Sequence, residues 1–380
     1  KTNDGFTYSL LLCVTGITTL SLYSIRDTYQ GINFKLKPKN IIIASGLCIM
    51  TLGVFILTRY NDYSYSIWLD EYVQFIYSNV LKDGQNISSF AAAEQQPPIG
   101  YYAMTLPHLF FGFSHLSVKL APLLFSIAFY LVTPWMYHKI TKSKYITLVI
   151  YLYSLLHIIF IFYSVEARSY SQAITFSTFT LYFTYQYIRK SSWRNGVLLL
   201  SSQFFLVNSI GFQPEVFLIF FAICLIPIFF MFSRKLFISY LSINIATMIL
   251  FLPTMYHIYI SSLVSDKFSS DIFNTLSDQI TLYSWYDYIS FFHDTKYISF
   301  ITFILAISVI ARFCYFIVMN KTIEIHFLFT LALSIFYVLF PVFFTLIYKT
   351  VINWHFSPRY YLVFYVASLF TLLFLLFELK

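Results

Sequence analysis

Charge is what this sequence has least of. Only 11% of its 380 residues are Asp, Glu, Lys or Arg, against roughly 25% in a soluble domain, which excludes a water-facing globular fold for most of the chain. Glycine is also scarce, with 10 in all. None falls in a Gly-x-Gly-x-x-Gly or other phosphate-cradling loop, and no polar stretch is long enough to hold a nucleotide-binding domain. The cysteines Cys13, Cys48, Cys224 and Cys314 all lie inside apolar segments, so the spacing indicates neither a disulfide framework nor a thiolate metal site. His293-Asp294 and His355 stand apart, without paired-histidine spacing. A divalent metal therefore has no support, and no cofactor is firmly implied. The net charge of +8 forms no cluster beyond short loops. Orientation in a membrane explains these basic residues better than nucleic-acid binding does, and nucleic acid is not expected as a partner.

What is present is apolar surface. The chain is 59% hydrophobic, with a mean hydropathy of +0.72, 45 Phe and 33 Tyr. Repeated apolar runs of about 20 residues predict a polytopic helical membrane protein. Spans are expected at 7–24, 41–58, 117–137, 145–165, 169–188, 195–212, 214–232, 236–257, 297–319, 325–349 and 358–378, roughly eleven in all. The first is flanked by Asp4 and Arg26 in the order opposite to a signal peptide. The aromatic excess reads as helix–helix filling and interfacial belts rather than as binding boxes.

Residues 98–113 open on Pro97-Pro98 and are interrupted by Pro107-His108. Counting them as a span would put Lys139, Lys142 and Lys144 on the same side as Asp70. A helix lying in the interface restores the charge bias throughout. One side then gathers Arg26, Lys35, Lys37, Lys39, the 139–144 lysines, Arg189, Lys190, Arg194, Arg234, Lys235, Arg312, Lys321 and Lys380, with few acids. That is the cytoplasmic side. The outer side carries two long polar stretches, 59–116 with its interfacial helices and 258–296, within a single membrane domain covering 1–380.

Three clusters meet on that outer side. The first is Trp68-Leu69-Asp70-Glu71, followed by an amphipathic stretch with Tyr72, Phe75, Ile76 and Val80 on one helical face. A carboxylate at the start of such a helix, at the water–lipid boundary, is suited to act as general base on an acceptor hydroxyl or amine. The competing reading is a solvated helix cap. The second cluster is Glu94-Gln95-Gln96-Pro97-Pro98-Ile99-Gly100-Tyr101-Tyr102, and the third is Glu166-Ala167-Arg168-Ser169-Tyr170. Lys119, Arg168, Lys349 and Arg359 stand at outer span ends, against the positive-inside trend. Arginine there can take a phosphate through its bidentate fork and lysine as a point charge; each singly also reads as a snorkelling interfacial residue.

Taken together, these stretches resemble a family. Trp68-Leu69-Asp70-Glu71, Pro97-Pro98-x-x-Tyr101-Tyr102 and Phe111-Gly112-Phe113-Ser114 look like GT-C-fold glycosyltransferases. So do Ser117-Val118-Lys119-Leu120-Ala121-Pro122, Tyr163 to Tyr170 and Pro358-Arg359-Tyr360. The similarity is to the protein O-mannosyltransferase and lipid A aminoarabinose transferase branch, strongest over 60–190. It implies an all-α GT-C-like bundle with outer-face juxtamembrane helices, in a bacterial inner membrane. It implies an inverting transfer on the outer face, from a polyprenyl-phosphate-linked sugar to an acceptor glycan, lipid or protein. Asp70 matches the family's catalytic base, with Glu71 beside it. Arg359, Arg168 and Lys119 are then expected on the donor phosphate. Glu94, Gln95, Gln96, Tyr101, Glu166, Tyr170, Tyr360 and His355 are expected around the substrate. Gln96 departs from the aminoarabinose branch, which has a phosphate-binding lysine before the proline pair. A carrier-lipid flippase or a non-enzymatic membrane scaffold are the rival readings; neither gives a reason for an outer Asp-Glu pair.

Overall fold

Side-chain caps from Ser114, Ser143, His157 and Ser192 open helices in this chain. In the computed structural model the described residues are 14–21, 49, 53, 56, 97–112, 114–164, 166, 168–211, 213–264, 296–319, 323–351 and 362–379. They form α1 (Pro98–Phe111), α2 (His115–Thr141), α3 (Lys144–Leu156), α4 (Ile158–Tyr163), α5 (Tyr170–Arg189) and α6 (Trp193–Val207). Then come α7 (Gln213–Phe232), α8 (Arg234–Val264), α9 (Lys296–Val318), α10 (Ile325–Val351) and α11 (Leu362–Glu378). Residues 14–21 are also helical, and no strand occurs among the described residues.

Ser114 and Ser117 form a reciprocal capping box at the start of α2. The Ser117 amide donates to Ser114 Oγ at 3.1 Å and the Ser114 amide to Ser117 Oγ at 2.9 Å. Lys142 ends α2 in the left-handed conformation, φ 53°, its amide donating to His138 O. Ser143 and Ser192 cap α3 and α6 by accepting from the amides of Ile146 and Asn195.

Four helices contain windows long and apolar enough to cross a membrane: Ser117–Thr141, Gln213–Phe230, Arg234–Tyr256 and Phe300–Val318. The expected spans differ from the helices in several places. The run 145–165 is not one helix: it breaks at His157, whose backbone is extended (φ −66°, ψ 123°) and whose Nδ1 accepts from the Ile159 amide at 3.3 Å. Asn208 ends the helix expected to reach residue 212, its side chain donating to Phe204 O. In the other direction, α8 continues to Val264, into the stretch read as the second outer loop. The remainder of that loop, most of 59–116 and most of the first two expected spans lie outside the described residues.

The core is built on α5, which packs against α2, α6 and α11, while α7 packs on α8 and α10, and α9 on α10 and α11. Aromatic rings fill the inner faces. Phe217 stacks on Phe221 and meets Phe336 edge-on, and Phe336 stacks on Phe340 and Phe364. Between α6 and α8 the contact is polar. Gln203 Nε2 donates to Asn244 Oδ1 at 3.3 Å, Thr247 donates to Gln203 Oε1 at 2.7 Å, and Thr254 donates to Asn208 Oδ1 at 3.0 Å. Such bonds between apolar helices fix register where dispersion alone would not.

One end of the bundle is basic. Lys139 lies over Trp135, Arg189 over Tyr185, Arg194 over Trp193 and Arg234 over Phe230, each cation 5.7–6.0 Å from its ring centroid. Arg312 pairs with Glu378 there at 3.8 Å. Of the residues singled out from the sequence as a site, Tyr101, Lys119, Glu166, Arg168 and Tyr170 are described and belong to the other end.

Candidate functional site

The opposite end is organised around the start of α1. Pro97 and Pro98 set an extended-to-helical entry, with Pro98 at the first helical position, where a missing amide costs nothing. Gly100 follows, and its amide donates to Asn208 O at 3.0 Å, tying α1 to the end of α6. A Cβ at Gly100 would stand 2.2 Å from Ser209 O and 3.1 Å from Ser169 Oγ. Glycine is therefore required where the start of α1 meets the backbone at the end of α6 and the Ser169 side chain of the turn before α5. Tyr101, the next residue, is buried.

The turn 164–170 carries the third sequence cluster. The Arg168 amide donates to Glu166 O at 2.7 Å, which curls the chain before α5. The guanidinium reaches forward, its Nη1 donating to Tyr170 OH at 3.3 Å, and Tyr170 packs edge-on against Tyr163 with centroids 5.0 Å apart. Glu166 and Arg168 thus meet through the backbone at this turn, and Arg168 is braced by Tyr170.

The far end of α1 leads to the third component. His108 Nδ1 and Ser117 Oγ, both buried, are 3.0 Å apart and join α1 to the first turn of α2. Lys119 is two residues further on and only 3% exposed. Ser126 lies seven residues beyond Lys119, roughly 20° away around the helix, and donates to Ser164 O at 3.0 Å. The Lys119 face of α2 is therefore the face turned toward the turn 164–170. Both ends of α1 contact helix ends on this one side of the bundle.

The structure thus brings Tyr101, Lys119, Glu166, Arg168 and Tyr170 to one end of the bundle. Asp70, Glu71, Glu94, Gln95, Gln96, His355, Arg359 and Tyr360 lie outside the described residues. No family model, curated protein or solved structure matches the chain. The site is therefore argued from its own chemistry. Among the described residues no group of His, Cys, Asp and Glu has the arrangement of a metal site.

Sequence reasoning missed several buried polar groups at this end. Ser171 Oγ and Gln172 Oε1, in the first turn of α5, are buried without a hydrogen-bond partner, as are Gln213 Oε1 and Glu215 Oε2 in the first turn of α7. The available signal was an amide or carboxylate in the opening turn of an otherwise apolar helix. Glu215 is the sole acid in the four membrane-length apolar windows, and intramembrane acids are rarely idle.

Proposed function

We propose that the protein is an inverting glycosyltransferase of the GT-C type, with about eleven spans, transferring a sugar from a polyprenyl-phosphate donor at the outer face of the bacterial inner membrane. The observation that carries this reading is the meeting of two sequence clusters and a buried lysine at the end of the bundle opposite the basic, aromatic-backed cations. An arginine braced by a tyrosine and a lysine on the facing side of α2 are the kind of groups that hold an anionic leaving group.

In this reading Asp70 takes the proton from the acceptor hydroxyl or amine as that atom attacks the anomeric carbon, and Glu71 orients it. The anomeric carbon–oxygen bond to phosphate breaks, and its electron pair stays on the phosphate oxygen, inverting the anomeric centre. Charge grows on the phosphate during the step, so Arg359, Arg168 and Lys119 stabilise the transition state more than the ground state. Glu94, Gln95, Gln96, Tyr101, Glu166, Tyr170, Tyr360 and His355 surround the sugar and acceptor.

The test is transfer of radiolabel from polyprenyl-phosphate sugars by the full chain in membranes. Asp70→Asn keeps size and polarity but cannot take a proton; turnover should fall roughly 10²–10⁴-fold with expression unchanged. Normal turnover by Asp70→Asn would remove Asp70 as base, and absence of transfer by the parent across a panel of such donors would favour the flippase or scaffold readings.

A further inference from the structure

The buried polar groups at the Gly100 end differ from the cations in the chemistry they demand. Most buried polar atoms in native proteins have partners, and an orphan marks a missing ligand or water. Here two of the orphans are acceptors only, Gln172 Oε1 on a side chain 1% exposed and Gln213 Oε1 on one 6% exposed; Glu215 Oε2, enclosed although the residue as a whole is partly exposed, accepts or donates according to its protonation. Ser171 Oγ, 2% exposed, can give or take a proton.

Their placement follows from the Gly100 contact. Ser169, against Gly100, leads directly into Ser171 and Gln172; Ser209, also against Gly100, leads within six residues into Gln213 and Glu215. Each pair therefore follows, in the opening turn of a helix, from a residue that meets Gly100: Ser169 by its side chain and Ser209 by its backbone oxygen.

A phosphate offers only acceptors at neutral pH, so it suits the cations Arg168 and Lys119 but neither glutamine oxygen. A prenyl chain satisfies nothing polar. The complement of several acceptors is a ligand rich in O–H donors. Resting on the glycosyltransferase reading, we infer that Gln172, Gln213 and Glu215, with Ser171, recognise the hydroxyl groups of the sugar. The arginine and lysine hold the phosphate, and discrimination among sugars resides in the opening turns of α5 and α7. The hydroxyls can come from the donor sugar or from a sugar acceptor.

The inference carries a stability signature. An unpaired buried acceptor costs the ligand-free protein its desolvation, so an apolar residue of similar size there is neutral or stabilising. Gln172→Leu and Gln213→Leu should leave the melting temperature of the ligand-free chain unchanged or raised while removing sugar recognition.

The experiment measures thermal shifts and binding of the full chain in detergent with polyprenyl phosphate, with polyprenyl-phosphate hexoses of several configurations, and with the corresponding methyl hexosides. The parent should bind at least one hexose-bearing donor more tightly than bare polyprenyl phosphate. Gln172→Leu, Gln213→Leu and Glu215→Leu should each lose about tenfold of that increment and keep the response to polyprenyl phosphate. Loss confined to the methyl hexosides would assign the groups to the acceptor sugar and still support hydroxyl recognition. If a leucine variant fails to fold, Gln172→Asn and Gln213→Asn, which keep the amide but withdraw it by one methylene, should show the same loss. Undiminished discrimination in the variants would overturn the inference and leave the glycosyltransferase reading standing. Binding of polyprenyl phosphate with no sugar increment in the parent would also overturn it. No response of the parent to any polyprenyl phosphate would remove both together.

Discussion

The α-carbon of Gly100 faces the carbonyl oxygen of Ser209 so closely that a methyl group added there would sit 2.2 Å from it. That oxygen is backbone and cannot swing aside. Gly100→Ala must therefore push the start of α1 away from the end of α6 and strain the Gly100–Asn208 hydrogen bond. Thermal unfolding in detergent should show a loss of roughly 1–3 kcal/mol, the usual cost of overpacking, and transfer activity should fall because Tyr101 moves with the junction. A parent-like melting temperature and turnover would contradict the close approach.

Arg168 is held by Tyr170 rather than left to sample solvent. Arg168→Ala should weaken donor binding and slow turnover together, and Arg168→Lys should recover part of each because charge remains without the fork. Tyr170→Phe removes only the brace; it should cost a few-fold in turnover with little change in binding. Arg359→Ala is expected to behave like Arg168→Ala. Donor titrations monitored by transfer rate separate these outcomes, and parent-like kinetics in both alanine variants would move the phosphate elsewhere.

The proposed topology puts the cap of α3 on the inner side. In a background lacking the native thiols, Ser143→Cys should react with membrane-impermeant maleimide only after the membrane is opened, whereas Ser89→Cys and Ser269→Cys should react from outside. Labelling of position 143 in intact cells would invert the orientation.

The α6–α8 seam gives a prediction about stability alone. Gln203→Leu strips partners from both Asn244 and Thr247. Its cost should be about 1 kcal/mol, the scale of interhelical hydrogen bonds in membrane proteins. Adding Thr247→Val should cost little more, since without Gln203 the Thr247 hydroxyl keeps only its bond to Ile243 O within the same helix. Unfolding in detergent or bicelles measures both; additive losses would show that the two side chains act independently.

Much of the helical plan was legible because apolar run length acts locally; the serine caps are local too but went unread. Ser114, Ser143 and Ser192 stand where helices begin, and the apolar runs behind them extend to the next polar cluster. The break at His157 was not legible, because nothing in Leu155-Leu156-His157-Ile158 signals a turn; its ring is buried and engaged edge-on by Tyr153 and Tyr365 from two directions, a tertiary cause. The site divided similarly. Arg168, Tyr170, Lys119 and Tyr101 stood out as charges or aromatics at segment ends. Gln172 and Gln213 did not, because a single amide in an apolar helix draws no attention until its lack of partners is known. Gly100 was noticed only as part of a proline-rich entry, since the carbonyl that excludes every larger residue comes from more than a hundred positions later in the chain.

The interruption at His157 also bears on how the turn 164–170 is carried. Because α4 is a six-residue segment with its own cap, the arginine-bearing turn hangs from a short arm jointed to α3 rather than from one rigid rod. The arm is fixed at its far end, where Ser126 of α2 donates to Ser164 O at 3.0 Å. The turn that carries Arg168 is therefore placed by contact with α2 and not by the run length of α3.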